Sequence, residues 1–269
     1  MGKADRERPI GVFDSGIGGL TVLKALSRRM PREGLVYFGD TAHIPYGSKS
    51  RQAVTRYSLE AARFLASRDI KALVVACNTS SALALGEVQG ALSVPVLGVI
   101  QPGAKAAAEA TRNGRVGDIG TEATVASGAY AQALKNCAPS LKVFSTACPL
   151  FVPLVEEGWW GHPVTAQVAK HYLARLKHSR IDVLVLGCTH YPLLKGVLRR
   201  EMGGSVKLID SAEQTALETE QLLSSLKLLR QAGSGRREFF VSDGPGRFLK
   251  LSKRLLGVAA ERVSLQSFD

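Results

Sequence analysis

Two cysteine residues come directly after two apolar segments that resemble each other. The first segment, Ala72–Ala76, leads into Cys77, and the second, Val183–Gly187, leads into Cys188. A continuous apolar run bounded by polar residues is typical of a parallel strand that is buried on both faces. Ligands of open parallel sheets bind just beyond the carboxyl ends of such strands, where both thiols would lie. Two thiols on equivalent strands could flank one carbon atom, as a reaction with one base on each face requires.

The residues after each cysteine favour a chemical role for the thiols. The thiolate is the nucleophilic or basic form, and an unperturbed cysteine is only about a few per cent ionised at neutral pH. A helix that begins after the strand would place backbone N–H groups beside the sulfur. Asn78, Thr79, Thr189 and His190 would add side-chain donors. Buried, inert cysteines are the common alternative, and the polar residues that follow both thiols argue against it.

The loop after the first predicted strand offers a second set of polar groups. It reads Asp14-Ser15-Gly16-Ile17-Gly18-Gly19 and opens a helix. Thr21 stands where the third glycine of a dinucleotide-binding loop belongs, so that motif is incomplete. Backbone donors at a helix N-terminus suit a carboxylate, and Asp14 could bind an ammonium group or orient a proton transfer. A simple helix cap is the alternative for this aspartate.

Further side chains are suited to binding or to proton transfer. The loop of residues 39–47 could present backbone amides and the Tyr46 hydroxyl to a ligand, although a rigid structural loop fits equally well. His190 is a natural acid–base neighbour of the second cysteine. Glu156 is a candidate carboxylate partner, with Glu157 as its rival and a surface glutamate as the alternative for either.

Alternating strands and helices must position these residues. Between residues 10 and 100 strands and helices alternate, which indicates a parallel sheet covered by helices on both faces. The pattern restarts after Pro102 and ends with a strand at residues 206–210. Glycine-containing strand ends at Asp14–Gly16 and Gly120–Glu122 precede the two cysteine strands at similar distances, so the two halves look like imperfect repeats.

We therefore predict an α/β fold with two similar lobes, each a mostly parallel sheet flanked by helices. The active site is expected in the cleft between the lobes, a common position for a pocket. The first lobe comprises residues 1–100 and 210–269, because the C-terminal segment is expected to pack back onto it, and the second comprises residues 101–209. The two chain crossings would then form a hinge.

Composition restricts the classes of function. The longest apolar runs fall short of the about 20 residues that a membrane span needs, and the charged N-terminal segment lacks a signal-peptide core, so we expect a cytoplasmic protein. The net charge of +12 comes from scattered basic residues, which favours a solvated surface over a nucleic-acid site. The four cysteines include no C-x-x-C pair and predict neither a zinc site nor disulfides.

Together, these motifs resemble a known family. The chain is similar to the glutamate racemases of the cofactor-independent aspartate/glutamate racemase superfamily, and the matching segments are Asp14–Gly19, Gly39–Gly47, Cys77–Thr79 and Cys188–Leu193. The resemblance implies that the catalytic residues are Cys77 and Cys188, with auxiliary acid–base roles for Asp14, Glu156 and His190. It implies substrate binding by Asp14 with Ser15, Tyr46 with Gly47, Asn78 with Thr79, and Thr189 with His190.

The resemblance also implies a reaction, which is the interconversion of L- and D-glutamate by two-base proton transfer for bacterial peptidoglycan synthesis. It implies no metal and no cofactor such as pyridoxal phosphate. An aspartate or broader amino-acid racemase is one alternative, and a basic regulatory protein that binds nucleic acid or a DNA enzyme is another. A thiol hydrolase would leave one of the two cysteines idle. The oligomeric state stays open, a homodimer included.

One residue departs from the family pattern. Asp118 interrupts a predicted strand where the family usually has an apolar residue. An unpaired buried carboxylate is costly, so we expect Asp118 to have a partner or to lie near a sheet edge.

Overall fold

The computed structural model describes residues 3–257 and 262–268. Its strands are β1 (Ile10–Asp14), β2 (Leu35–Gly39), β3 (Ala72–Val75), β4 (Val96–Gly98), β5 (Arg115–Gly120), β6 (Lys142–Ala147), β7 (Val183–Gly187), β8 (Lys207–Asp210), β9 (Arg237–Val241) and β10 (Val263–Leu265). Its α-helices are α1 (Lys3–Glu7), α2 (Leu20–Arg29), α3 (Arg51–Ser67), α4 (Asn78–Leu83), α5 (Leu85–Ala91), α6 (Ile100–Ala110), α7 (Glu122–Ala126), α8 (Ala129–Cys137), α9 (Phe151–Glu156), α10 (Pro163–His178), α11 (Lys195–Met202), α12 (Ser211–Ser225) and α13 (Pro245–Leu256). Short 3₁₀ helices occur at Thr41–His43, Tyr46–Ser48 and Tyr191–Leu194.

The strands form two parallel sheets, one in each lobe, and this confirms the predicted two-lobe α/β fold. The first sheet has the order β10-β9-β2-β1-β3-β4, and the second has the order β6-β5-β7-β8. The strands β2-β1-β3-β4 of the first lobe correspond, in that order, to β6-β5-β7-β8 of the second. The two lobes therefore repeat the same strand order, and β3 and β7, which precede the two cysteines, occupy equivalent places.

Apolar side chains cover both faces of each sheet. In the first lobe, one core includes Leu23 and Leu26 of α2 with Val12, and the other includes Val54 and Leu65 of α3. Two corresponding cores lie in the second lobe. Burial on both faces explains why these strands read as continuous apolar runs. Among residues 3–257 and 262–268, none of the helices has the length and apolar character that a membrane span requires.

The C-terminal segment returns to the first sheet. Strand β9 pairs with β2, and β10, which the sequence analysis did not predict, pairs with β9. We keep residues 101–209 as the proposed extent of the second lobe and the remainder as that of the first. Residues 1–2, 258–261 and 269 of the proposed first lobe lie outside the described residues.

Two helical segments are interrupted. Residues 122–137 form two helices, α7 and α8, because Gly128 adopts a left-handed conformation with φ of 68°. Residues 78–91 are divided into α4 and α5 at Ala84. Only the first of these breaks has a sequence signal, since glycine adopts positive φ at little cost.

Asp118 is buried and has a partner. It lies in β5, an inner strand of its sheet, and its side chain is 2% exposed. Ser145 Oγ, on the adjacent strand β6, donates a hydrogen bond of 2.6 Å to Asp118 Oδ1. Burial raises the pKa of this carboxyl to about 6, although the bond from Ser145 opposes the shift. Asp118 therefore has the expected partner, and it does not lie at a sheet edge.

A buried ion pair fixes the returning chain to the first lobe. The side chains of Lys71 and Glu33 pair at 1% and 2% exposure. Lys71 Nζ also donates 2.9 Å hydrogen bonds to the carbonyls of Arg6 and Leu228. Glu33 Oε1 accepts a 2.8 Å bond from the backbone N–H of Arg230. The pair thereby connects β3 with the segment that follows α12.

The substitution Lys71→Met tests this connection. It leaves the Glu33 carboxylate buried without its cation, so we expect the free energy of unfolding to fall by about 3–5 kcal/mol, measured by urea denaturation. Arg29→Met is the control, because it breaks an ion pair with Glu220 in which both side chains are about a third exposed. That loss should be below about 1 kcal/mol. Similar small losses in both variants would contradict a structural role for the buried pair.

Candidate active site

The strand order places one ligand-binding edge in each lobe. The chain runs from β1 to β2 on one side and then crosses to β3 on the other side of β1, so the carboxyl ends of β1 and β3 form a topological switch point. Open α/β sheets bind ligands at such points. Asp14 ends β1 and Cys77 follows β3, whereas Thr121 follows β5 and Cys188 follows β7. The equivalent edges of both sheets therefore carry the polar and thiol side chains that could take part in a reaction.

Close contacts show that the two edges face each other. Thr189 Oγ1 of the second lobe donates a 3.4 Å hydrogen bond to Asp14 Oδ1 of the first. Thr79 Oγ1 of the first lobe lies 3.0 Å from Thr121 Oγ1 of the second. Both cysteines line one narrow cavity between the lobes.

That inner cavity gathers most of the predicted site residues. Its lining includes Ser15, Tyr46, Gly47, Cys77, Asn78, Thr79, Cys188, Thr189 and His190. Its volume is about 20 Å³, which is room for roughly one water molecule. An outer cavity of about 360 Å³ adjoins it, and Glu156 is part of the outer lining. The remaining predicted residue, Asp14, is fully buried behind the inner cavity.

Cys77 caps helix α4, as the sequence predicted. Its sulfur accepts a 3.5 Å hydrogen bond from the backbone N–H of Ser80 and lies 3.4 Å from Ser15 Oγ. Burial raises the pKa of the Cys77 thiol to about 11, the nearby Asp14 adds to the rise, and the hydrogen bonds with Ser15 and Ser80 oppose it. This thiol is therefore protonated at neutral pH.

Asp14 stands beside the first thiol and is itself strongly buried. Burial raises the pKa of its carboxyl, while His190, backbone N–H groups and the Thr189 hydroxyl favour the charged form. The N–H of Gly16 donates one of these bonds at 3.0 Å. A carboxyl with a raised pKa can exchange a proton with a neighbouring thiol more readily than an ordinary aspartate.

The second thiol has a basic neighbour. His190 Nδ1 lies 3.9 Å from Cys188 Sγ, and His190 Nε2 lies 3.3 Å from Glu156 Oε1. Burial opposes a charge on the imidazole, but the hydrogen bonds with Cys188 and Glu156 outweigh it and raise the pKa of His190 to about 10. An imidazolium therefore faces this thiol at neutral pH. No helix begins directly after Cys188, since a 3₁₀ helix starts only at Tyr191, so the predicted helix dipole acts on the first cysteine alone.

Glu156 and Glu157 have different surroundings, which the sequence could not distinguish. Glu156 is 15% exposed and meets His190, whereas the Glu157 side chain is exposed. Arg247 of α13 approaches Glu156 from the first lobe, with 3.7 Å between Nη2 and Oε2. Burial opposes ionisation of Glu156, but the bond with His190 and the charges of His190 and Arg247 lower the pKa of this carboxyl.

Two glycines allow the lobes to approach this closely. A Cβ atom at Gly18 would lie 2.2 Å from Thr189 Oγ1 and 2.7 Å from His190 Nδ1. A Cβ atom at Gly47 would lie 2.4 Å from Thr121 Cβ. Real Cβ atoms do not make contacts of this length, so larger residues at these positions would push the lobes apart.

The Tyr46 hydroxyl is not available to a ligand, contrary to the expectation above. The side chain is 1% exposed, and its hydroxyl donates a 2.5 Å hydrogen bond to Asp40 Oδ2. Asp40 also accepts bonds from His43 and Ser242, so this carboxylate organises the loop around Tyr46. Only the ring and the backbone of Tyr46 can contribute to the cavity.

Three residues at the site were missed by the sequence analysis. Thr121 and Thr124 form a cluster of hydroxyl groups with Thr79, with separations of 2.9–3.3 Å. Thr121 follows β5 as Ser15 follows β1, so the internal repeat was a usable signal. No sequence signal pointed to Arg247, because it lies far along the chain from Glu156, the residue that it meets. Among the described residues, no three His, Cys, Asp or Glu side chains are grouped as a metal ion would require.

Comparisons with known proteins agree with this geometry. The sequence model of the Asp/Glu/hydantoin racemase family matches residues 10–219. A glutamate racemase of Geobacter metallireducens is 55% identical over 93% of this chain and 93% of its own length. The crystal structure of the glutamate racemase isoform RacE1 from Bacillus anthracis superposes with a TM-score of 0.93 at 40% identity, covering 98% of both chains. That of glutamate racemase from Francisella tularensis, in complex with D-glutamate, has a TM-score of 0.93 at 39% identity and covers 98% of this chain and 99% of its own. The chain therefore belongs to the Asp/Glu/hydantoin racemase family.

Proposed function

We propose that this protein interconverts L- and D-glutamate by proton transfer between the substrate Cα atom and two cysteine side chains, Cys77 and Cys188. The observation that carries the proposal is that both thiols, from equivalent strand ends of opposing lobes, line one cavity. The names of the relatives support glutamate as the substrate. As the family resemblance implies, the product would supply cytoplasmic peptidoglycan synthesis.

The two thiols have different charged neighbours. Cys188 lies beside the His190 imidazolium and, as a thiolate, acts as the base toward one of the two enantiomers. It takes the α-proton and becomes a thiol, and the electron pair left on Cα is delocalised into the α-carboxylate. The Cys77 thiol then donates its proton to the opposite face of Cα and becomes a thiolate. One proton leaves the substrate and one is added, so only the configuration changes.

The opposite enantiomer requires the reversed pair, with Cys77 as thiolate and Cys188 as thiol. Asp14 assists on the Cys77 side and His190, supported by Glu156, on the Cys188 side. Ser15, Asn78, Thr79 and Thr189 would donate to the two substrate carboxylates, together with backbone N–H groups at Tyr46 and Gly47. These roles are part of the proposal.

Substrate entry requires the lobes to open. An inner cavity with room for roughly one water molecule cannot admit an amino acid. The chain crosses between the lobes near the start of α6 and the start of α12, and rotation there would widen the cleft. Closure would then exclude water from the reacting carbon.

The decisive experiment incubates the protein with L- or D-glutamate in D₂O without added cofactor and follows racemisation and α-deuterium. The wild type should form the opposite enantiomer carrying deuterium. Cys77→Ala and Cys188→Ala should each lose racemisation by about 10²–10⁴-fold, as expected for removal of an acid–base group. Each variant keeps one thiol, so each should exchange the α-proton of one enantiomer with retention, and the preferred enantiomer should differ between them.

Cys137→Ala is the control for this experiment, because Cys137 is exposed and remote from the cavity. It should retain wild-type racemisation. Full racemisation by either Cys77→Ala or Cys188→Ala would rule out the two-thiol mechanism.

The close approach at Gly18 gives a second prediction. Gly18→Ala places a methyl group against Thr189 and His190 and holds the lobes apart, so kcat/KM should fall by about 10²-fold. Gly86→Ala is the matched control, because a Cβ atom there meets nothing within 4 Å. A variant Gly18→Ala with the wild-type kcat/KM would show that closure does not depend on this contact.

The pH dependence of kcat/KM tests the pair of Glu156 and His190. Because the pKa of His190 is raised to about 10, its imidazolium persists below that pH and is lost as the pH rises through it. Glu156→Gln removes contributions that raise this pKa, so the alkaline limb of the profile should move to lower pH. Glu157→Gln, which alters the exposed neighbour, should leave the limb in place. Identical profiles for both variants would contradict the assignment.

A further inference from the structure

Tyr130 of helix α8 is a buried residue of the second lobe that reaches the first. Its hydroxyl donates a 2.6 Å hydrogen bond to Oδ1 of Asn78, the residue after Cys77. Tyr130 is 2% exposed and Asn78 is 3% exposed, so water does not compete for this bond. The interaction crosses between the lobes and ends on a side chain that lines the inner cavity.

The position of the Tyr130 ring is fixed by two glycines. A Cβ atom at Gly187, the last residue of β7, would lie 2.8 Å from Tyr130 Cε2. A Cβ atom at Gly103 of α6 would lie 3.4 Å from the Tyr130 hydroxyl oxygen. The ring thus fits between the strand that precedes Cys188 and the helix where the chain crosses between lobes. Burial raises the pKa of this hydroxyl, Asp118 adds to the rise, and the group keeps its proton.

The bond determines which end of the Asn78 amide faces the cavity. A phenol that keeps its proton donates to the carbonyl oxygen, which leaves the amide Nδ2 on the other side. Among the described residues, Asn78 Nδ2 is buried and has no hydrogen-bond partner. A buried N–H group without a partner is costly in a folded protein. Its place at the cavity that both thiols line points to an anionic ligand as the missing acceptor.

We propose that Tyr130 is a positioning residue that holds the Asn78 amide with its N–H groups toward a substrate carboxylate. This inference rests on the proposed function and adds a residue to it. Without the hydroxyl, the amide can rotate and turn its oxygen toward the carboxylate, which repels the substrate. Substrate binding is therefore expected to suffer more than proton transfer.

The variant Tyr130→Phe tests the inference through the separate values of KM and kcat. We expect KM for both enantiomers to rise about tenfold, the effect of one misplaced hydrogen bond to a charged group, while kcat changes by less than about threefold. L- and D-glutamate have equal free energies in water, so kcat/KM must fall equally in both directions. Tyr172→Phe is the matched control, since its hydroxyl accepts a 3.4 Å hydrogen bond from the backbone N–H of Leu150 and Tyr172 does not line the inner cavity. It should leave KM unchanged.

A double-mutant cycle separates this role from simple packing. In an Asn78→Ala background there is no amide to orient, so adding Tyr130→Phe should raise KM by less than about twofold. Thermal unfolding of every variant shows whether the changes in KM follow a loss of stability. An unchanged KM in Tyr130→Phe, or the same tenfold rise in the Asn78→Ala background, would overturn the inference and leave the proposed function intact. A wild-type protein that does not racemise glutamate would overturn both.

Discussion

The direction of the backbone in two parallel sheets is the constraint on which the site depends. All strands of a parallel sheet present their carboxyl ends at one edge, and each lobe uses that edge for its polar side chains. Because the strand orders β2-β1-β3-β4 and β6-β5-β7-β8 are the same, Cys77 and Cys188 occupy equivalent positions. When the two edges meet, equivalent positions come to lie on opposite sides of one cavity. A reaction with a base on each face of a carbon needs this arrangement.

The two halves of the site are alike in backbone and different in charge. The first thiol has a buried carboxyl, Asp14, for a neighbour, and the second has the imidazole of His190 with its carboxylate partner Glu156. An acid lies near one sulfur and a cation lies near the other. The electrostatic surroundings of the two thiols therefore differ, although the backbone around them is equivalent.

Groups from both lobes meet at the cleft. Gly18 and Gly47 give room for the opposite lobe, the hydroxyl groups of Thr79 and Thr121 meet across the interface, and Tyr130 spans it. The buried pair of Lys71 and Glu33 lies elsewhere and connects the returning chain to the first lobe.

The sequence by itself determined the fold class, the family and the places of both thiols, because apolar runs, polar strand ends and glycine-containing loops are local patterns. It did not decide between Glu156 and Glu157, since neighbours on a helix end point in different directions and only packing selects the one that meets His190. It suggested that the Tyr46 hydroxyl could bind a ligand, but in the tertiary structure this hydroxyl donates a hydrogen bond to Asp40. The approach of Arg247 to Glu156 and that of Tyr130 to Asn78 join residues 91 and 52 positions apart in the chain. Contacts of this kind depend on how two lobes meet, and no local pattern of residues records that.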